Sequence, residues 1–167
     1  MAGYGTDSGF NDWLAAQGLT LPDTAPSVAV LRQLGSAYVD SAYEYRLQCS
    51  RRAGGWEQEL AWPRAGHYVN GQLLPSTLIP DAWIHASYRA AYLNAVTPGW
   101  STDQVTPGRI TRRERVDVIE REFMTAEQAG GGAATAPGFP SDAIINGLVL
   151  PFLCVEGRSA ASLFRVV

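Results

Sequence analysis

Few residues in this chain could carry out acid–base, nucleophilic or metal chemistry. His67 and His85 are the two histidines, and neither has an Asp, Glu or Cys at the spacing of a metal ligand. Glu57 and Glu59 stand two positions apart, and on a helical turn such a pair faces different ways. All thirteen basic residues are arginine, so a phosphate-binding loop that needs lysine is excluded. We predict that the chain is not an enzyme, binds no metal or cofactor, and uses both histidines in structural or surface roles.

Aromatic and arginine side chains are interspersed between residues 38 and 64. Single-stranded nucleic acid is bound by rings that stack on bases beside cations that contact phosphates. Such rings more often anchor a core or a loop, and the net charge of −3 is not the basic excess typical of a nucleic-acid binder. A stacking surface is therefore a second hypothesis. Its members would be Tyr38, Tyr43, Tyr45, Trp56 and Trp62 with Arg46, Arg51, Arg52 and Arg64.

Cys49 and Cys154 are the two cysteines of the chain. They have no companion Cys or His at metal spacing, and the pair specifies neither a disulfide framework nor a zinc site. The amino end lacks a basic region followed by an apolar run, and no apolar stretch approaches the roughly 18 residues needed to span a bilayer. We therefore expect a protein that folds in a cytoplasm.

The most charged stretch is RITRRERVDVIEREF, residues 109–123. As a helix it would place several like charges three or four residues apart, which is unfavourable. If the chain reverses at Asp117-Val118, three successive rungs join opposite charges, each worth about 0.2–1 kcal/mol. This favours an exposed β-hairpin over about 105–124, with a helix or a wider loop in a shifted register as alternatives. The facing pairs would be Val116 with Ile119, Arg115 with Glu120, Glu114 with Arg121, Arg113 with Glu122 and Arg112 with Phe123.

The predicted hairpin is better suited to contact another copy of the chain than to hold nucleic acid. Most of its positive charge is paired within the stretch, and an isolated two-stranded ribbon is marginally stable in water. We assign the inter-subunit contact to Arg112, Arg113, Glu114, Arg115, Glu120, Arg121 and Glu122.

Apolar spacing predicts a mainly α fold, a small helical bundle into which this long hairpin is inserted. The 167 residues, 46% of them hydrophobic, suggest one domain, 1–167, with its helical core over about 7–100 and 141–153. One helix covers 7–17, with Gly18 as its stop. The others begin at Pro26 (apolar Val28, Leu31, Leu34, Tyr38, Ala42), at Pro80 (Ile84, Tyr88, Ala91, Ala95) and after a capping Ser141 (Ile144, Ile145, Leu148, Val149).

The remaining segments are predicted to be loops. Residues 43–78 form an ordered loop region with a helical turn near 56–61 and a tight turn at Asn70-Gly71. Within it, Trp62, Pro63 and Arg64 anchor the loop, because the indole can enter the core and the guanidinium can bind carbonyls. The Gly-rich segment 128–140 is a flexible linker, and 157–167 is a flexible, extended carboxy-terminal tail.

The order of these motifs is similar to that of a known family. The segments are MAGYGTDSGFNDWLA, VLRQLGSAYVDSAYEYR, QELAWPR, LIPDAWIHASYRAAYLNA and, after the hairpin and linker, SDAIINGLVLPFL. From residue 1 to about 153 they resemble small tailed-bacteriophage proteins described as DnaT-like single-stranded-DNA-binding proteins. Those proteins in turn look like the head–tail connector, or adaptor, proteins of long-tailed phages.

The resemblance implies a connector subunit that forms a ring, usually of twelve copies, between the portal protein and a neck or tail-completion protein. Genomic double-stranded DNA would pass through the channel without sequence-specific binding. The implied location is the neck of the virion, and the host cytoplasm during assembly. Ser162, Leu163, Phe164, Arg165, Val166 and Val167 would contact the portal, while Trp62, Pro63 and Arg64 match the family's structural loop signature. A connector is thus our first prediction, and a single-stranded DNA-binding protein of phage replication is the alternative.

Overall fold

The structure, a computed structural model, describes residues 3–102, 113–116, 119–122 and 138–154. The helices are α1 Asp7–Ala16, α2 Val28–Tyr43, α3 Asp81–Val96 and α4 Ala143–Val149. The strands are β1 Arg51–Arg52, β2 Arg64–Ala65, β3 Tyr68–Val69, β4 Gln72–Leu73, β5 Arg113–Val116 and β6 Ile119–Glu122. Single 3-10 turns lie at Glu44–Arg46, Gly55–Glu57, Trp100–Thr102 and Leu150–Phe152.

The centre of the fold is the close contact between α2 and α3. A Cβ added at Gly35 of α2 would come within 2.1 Å of the Ser87 carbonyl oxygen and 2.7 Å of the Ala91 backbone nitrogen. The two backbones therefore approach more closely than any side chain at residue 35 allows. On one side of this contact α1 packs through Phe10 and Leu14. On another side α4 packs through Ile145 and Val149.

A partly buried carboxylate, Asp40 of α2, joins four segments of the chain. It accepts hydrogen bonds from the Tyr4 hydroxyl at 2.7 Å, the Ala61 backbone N–H at 2.8 Å and the Trp83 indole N–H at 3.1 Å. Burial raises the pKa of Asp40 to about 6, while the three donors act in the opposite direction. The carboxyl is therefore ionised at neutral pH, with hydrogen-bond donors from the amino-terminal segment, the central loop and α3.

Arg32 of α2 holds the amino-terminal segment in place. Its guanidinium donates to the carbonyls of Gly3 at 2.8 Å, Tyr4 at 3.1 Å and Gly5 at 2.6 Å, and it pairs with Asp7. With its donors occupied in this way, Arg32 serves the fold and is not available to a ligand.

The helix boundaries confirm the predicted elements and correct three details. The second helix begins at Val28 behind Ser27 rather than at Pro26, and Leu34 is 40% exposed although the spacing placed it on the apolar face. The last helix is capped by Asp142, whose carboxylate accepts from the N–H groups of Ile144 and Ile145, both at 3.0 Å. Ser141 instead accepts from the Asn146 side chain. An ionised cap beside helix N–H groups binds more strongly than a hydroxyl, which explains the preference for Asp142.

Two segments that the sequence left loose are tied to the core. Phe139 packs against the Tyr38 ring with centroids 6.2 Å apart, and the Tyr38 hydroxyl donates to the Pro140 carbonyl. The prediction of a flexible linker over 128–140 was therefore wrong for its last two residues, Phe139 and Pro140. The two cysteines did not specify a disulfide in the sequence, but in the structure a disulfide joins Cys49 and Cys154 across a sequence separation of 105 residues.

The strands form three antiparallel two-stranded sheets, β1 with β2, β3 with β4 and β5 with β6. In the second, Asn70 and Gly71 both have positive φ, 50° and 81°, which is the tight turn predicted for this pair. In the third, the partners are Arg113 with Glu122, Glu114 with Arg121, Arg115 with Glu120 and Val116 with Ile119. These are four of the five predicted pairs; the fifth, Arg112 with Phe123, lies outside the described residues.

The coarser prediction, a mainly helical fold, is confirmed. The bundle with a hairpin as long as 105–124 is not established, because the observed pairing covers four residues on each strand. The single domain over 1–167 also stays a prediction.

Candidate nucleic-acid interface

Arg64 holds the central loop together from inside. It is 4% exposed, and its guanidinium donates to the carbonyls of Ala61 at 3.1 Å, Leu47 at 2.9 Å and Ser50 at 2.7 Å. Its Nε donates to the Ser50 hydroxyl at 2.7 Å. Burial lowers the pKa of Arg64, and the guanidinium N–H groups donate mainly to backbone carbonyls. Arg64 therefore positions the loop and cannot contact a phosphate.

Trp62 fills the space beneath this loop. It is 1% exposed and packs against Trp83, Phe152 and His67 with ring centroids 5.8, 6.0 and 4.9 Å apart. The peptide bond between Trp62 and Pro63 is cis. The three residues Trp62, Pro63 and Arg64 thus lie where the loop meets the core.

His67, buried beside Trp62, makes the stability of this region pH-dependent. Burial lowers the pKa of His67 below its ordinary value. Its contribution to the free energy of unfolding is complete above about pH 6.5 and is lost as the pH falls towards the folded-state pKa. We therefore expect the stability difference between the wild-type protein and a His67→Gln variant to shrink on acidification, as measured by denaturant unfolding across pH. His85→Gln at an exposed position is the control, and a difference that does not vary with pH would contradict the assignment.

Arg52 and Glu44 form an ion pair at the edge of the loop. Arg52 Nη2 lies 2.6 Å from Glu44 Oε2, and Arg52 Nε donates to Glu44 Oε1 at 2.7 Å. Hydrogen bonding from Arg52 lowers the pKa of Glu44. The pair neutralises an acid that would repel a phosphate, but it also occupies the Arg52 guanidinium.

The structure divides the predicted stacking surface into buried anchors and exposed groups. Tyr38, Tyr43 and Trp62 are buried. Tyr45 is 41% and Trp56 89% exposed, and Arg51 is exposed on β1. Arg46 is half-buried. Of the predicted set, Tyr45, Trp56 and Arg51 are exposed.

Three surface depressions follow the loop around residues 47–51 and share lining residues. The first, of about 570 Å³, includes Tyr45, Gln48 and Ser50. The second, of about 360 Å³, shares Gln48 and Ser50 with the first and adds Arg51. The third, of about 820 Å³, shares Cys49 with the second and ends at Tyr68. An exposed ring therefore stands at each end of the row, with the Arg51 cation between them.

Sequence reasoning missed Tyr68, which is 62% exposed. The signal was present, since Tyr68 lies two residues before the Asn70-Gly71 turn. In such a short hairpin an aromatic residue beside the turn has little sheet to pack against.

Among the described residues, no group of three or more His, Cys, Asp or Glu side chains could hold a metal ion. Over the same ranges, no helix is long and apolar enough to cross a membrane.

Comparison with known protein families places almost the whole chain in one of them. Residues 3–167 match the family described as "Putative DnaT-like ssDNA binding protein". The chain belongs to this family. Comparisons with curated proteins and with solved structures gave no match. The description of the DnaT-like family names single-stranded DNA binding and no enzymatic activity.

Membership in the DnaT-like family corrects the first functional prediction. The prediction of a head–tail connector with a structural role in the virion was wrong, because the match points to a DNA-binding family and to no connector. The portal and neck partners expected with that role have no support from the match. The expected twelve-copy ring and the passage of double-stranded DNA have no support from it. That expectation rested on the resemblance to connector proteins, and a likeness of that kind does not by itself fix function.

The remaining predicted site residues were assigned to contacts between subunits or with the portal. Six of the seven hairpin positions lie on the paired strands β5 and β6, and Arg112 lies outside the described residues. The predicted tail, Ser162 to Val167, also lies outside them.

Proposed function

We propose that this protein binds single-stranded DNA along the row from Tyr45 through Arg51 to Tyr68. The observation that carries the proposal is the match of residues 3–167 to the DnaT-like single-stranded-DNA-binding family. The surface supports it, because exposed rings at Tyr45 and Tyr68 flank an exposed guanidinium at Arg51. Stacking rings and a backbone-tracking cation are the elements of sequence-tolerant single-strand binding.

The charge near this row limits where the phosphates lie. Glu44 is paired with Arg52 at 2.6 Å and lies 3.5 Å from Arg64, so its charge is compensated. Trp56, by contrast, stands next to Glu57 in a separate 3-10 turn and lines none of the three depressions. The phosphates are therefore expected beside Arg51 and away from the Trp56 turn.

Titration of a labelled oligothymidylate, followed by fluorescence anisotropy, tests the proposal. We expect a Kd below about 1 µM at low salt and a weakening as salt rises, since bound phosphates release counterions. The matching duplex should bind more weakly, because its bases are not free to stack. No saturable binding to the single strand at low salt would overturn the proposal.

Arg51→Gln tests the position of the phosphate contact. Removing one cation from a single-strand site should lower the slope of log K against log salt by about 0.7. Gln33→Glu on the exposed face of α2 is the matched control, because it changes the net charge by the same single unit. Equal slopes for the two variants would show that Arg51 contacts no phosphate.

A further inference from the structure

The third depression differs from its neighbours in having no charged residue in its wall. Its volume is about 820 Å³, and it is lined by Cys49, Tyr68, Asn70, Gly71, Leu150, Pro151, Leu153 and Cys154. This size lies within the range typical of small-molecule sites, which combine apolar walls with a few polar groups. A phosphate would find no cation there, whereas the flat, uncharged ring of a nucleobase needs none.

Two groups at the rim of this groove suit a base. The Tyr68 ring is 62% exposed and offers a face for stacking. The Asn70 amide makes no hydrogen bond to the part of the chain that the structure describes, and the positive φ values of Asn70 and Gly71 fix the turn that carries it. An amide that offers both a donor and an acceptor pairs with the N6 and N7 edge of adenine.

The walls come from distant parts of the chain and are fastened together. Cys49 and Cys154 are joined by the disulfide, and the Cys154 N–H donates to the Arg46 carbonyl at 2.9 Å. Leu153, 8% exposed, provides a buried apolar side chain to the groove. Cys49 also lines the depression that contains Arg51, so a nucleotide whose base entered the groove would have a cation next to its phosphate.

We propose that this groove holds one unpaired nucleobase of a bound strand, with adenine preferred. The base stacks on Tyr68, its edge meets the Asn70 amide, and the phosphate lies towards Arg51. The inference rests on the proposed function for its class of ligand. It adds a base-binding subsite and a preference among bases.

Mononucleotides test the groove separately from strand binding. We expect deoxyadenosine 5′-monophosphate to shift the backbone NMR signals of Tyr68, Asn70, Gly71 and Cys154 in the full-length protein. Thymidine 5′-monophosphate should bind more weakly, and deoxyribose 5-phosphate, which has no base, should leave these signals unchanged. Equal shifts with the base-free sugar phosphate, or shifts confined to Trp56, would overturn the inference.

Two variants with matched controls complete the test. Tyr68→Ala should weaken binding of the adenine nucleotide at least about fivefold, the lower limit for loss of one base stack, while Trp56→Ala, also at an exposed ring, should not. Asn70→Gly removes the amide, tolerates the positive φ, and should abolish the preference for adenine over thymine. An unchanged preference would overturn the assigned role of Asn70.

The outcomes separate this inference from the proposed function. Oligonucleotide binding without nucleotide shifts at residues 68–71 would overturn the groove assignment alone. Nucleotide binding in the groove without oligonucleotide binding would support the groove and overturn strand binding.

Discussion

A Gly35→Ala variant is expected to unfold at much lower denaturant concentration than the wild-type protein. The added methyl would lie 2.1 Å from the Ser87 carbonyl oxygen and 3.0 Å from the Ala91 Cβ. Both contacts are on a rigid helix, so α2 and α3 must move apart. Overpacking usually costs about 1–3 kcal/mol. Because the clash here is with backbone atoms, we expect a loss at or above the upper end of that range.

Gly147→Ala is the matched control for Gly35. Gly147 lies within α4, and a Cβ there meets nothing within 4 Å. The same substitution should therefore stabilise the protein by about 0.5–1 kcal/mol through helix propensity. Urea unfolding followed by circular dichroism measures both variants. If Gly35→Ala proved as stable as the wild-type protein, the close contact between α2 and α3 would be incorrect.

Replacement of Asp40 by Ala should also cost a large part of the folding free energy. Three donors, the Tyr4 hydroxyl, the Ala61 N–H and the Trp83 indole N–H, would lose their acceptor at once. Each buried unsatisfied donor costs about 1–3 kcal/mol, so a loss of about 3–5 kcal/mol is expected after partial relaxation. Asp40→Asn should be nearly as harmful, because its amide nitrogen would face one of these donors.

The pH dependence of the free energy of unfolding tests the role of the Asp40 carboxylate. The folded-state pKa of Asp40 is raised to about 6 by burial, so its ionisation disfavours the folded state. The Asp40 contribution is therefore most favourable at acid pH and declines as the pH rises from about 4 to about 6. Asp40→Asn should lack this decline, while Asp12→Asn at an exposed site should keep it. A decline that survives in Asp40→Asn would refute the assignment.

The parts of the fold that the sequence predicts are those that depend on neighbours in the chain. The partners of β5 and β6 follow from the alternation of charges between residues 113 and 122, and the Asn70-Gly71 turn follows from the tolerance of both residues for positive φ. Helix positions follow from apolar spacing, with errors of one or two residues at the caps.

The features that the sequence does not predict are those that join distant segments. Asp40 reads as an ordinary polar residue on α2, and nothing near it in sequence shows that Tyr4, Ala61 and Trp83 will converge on it. The sequence also does not distinguish Tyr45 from Tyr43, although Tyr45 is 41% exposed and Tyr43 is fully buried. Which aromatic residues can meet a ligand is decided by packing between elements far apart in the chain.

The bond between Cys49 and Cys154 has a topological consequence. The main chain from one sulfur to the other closes into a covalent circle, and the circle contains β1 to β6, α3 and α4. Cleavage of any single peptide bond within it would still leave one connected molecule, and only a reductant would then let the two pieces separate.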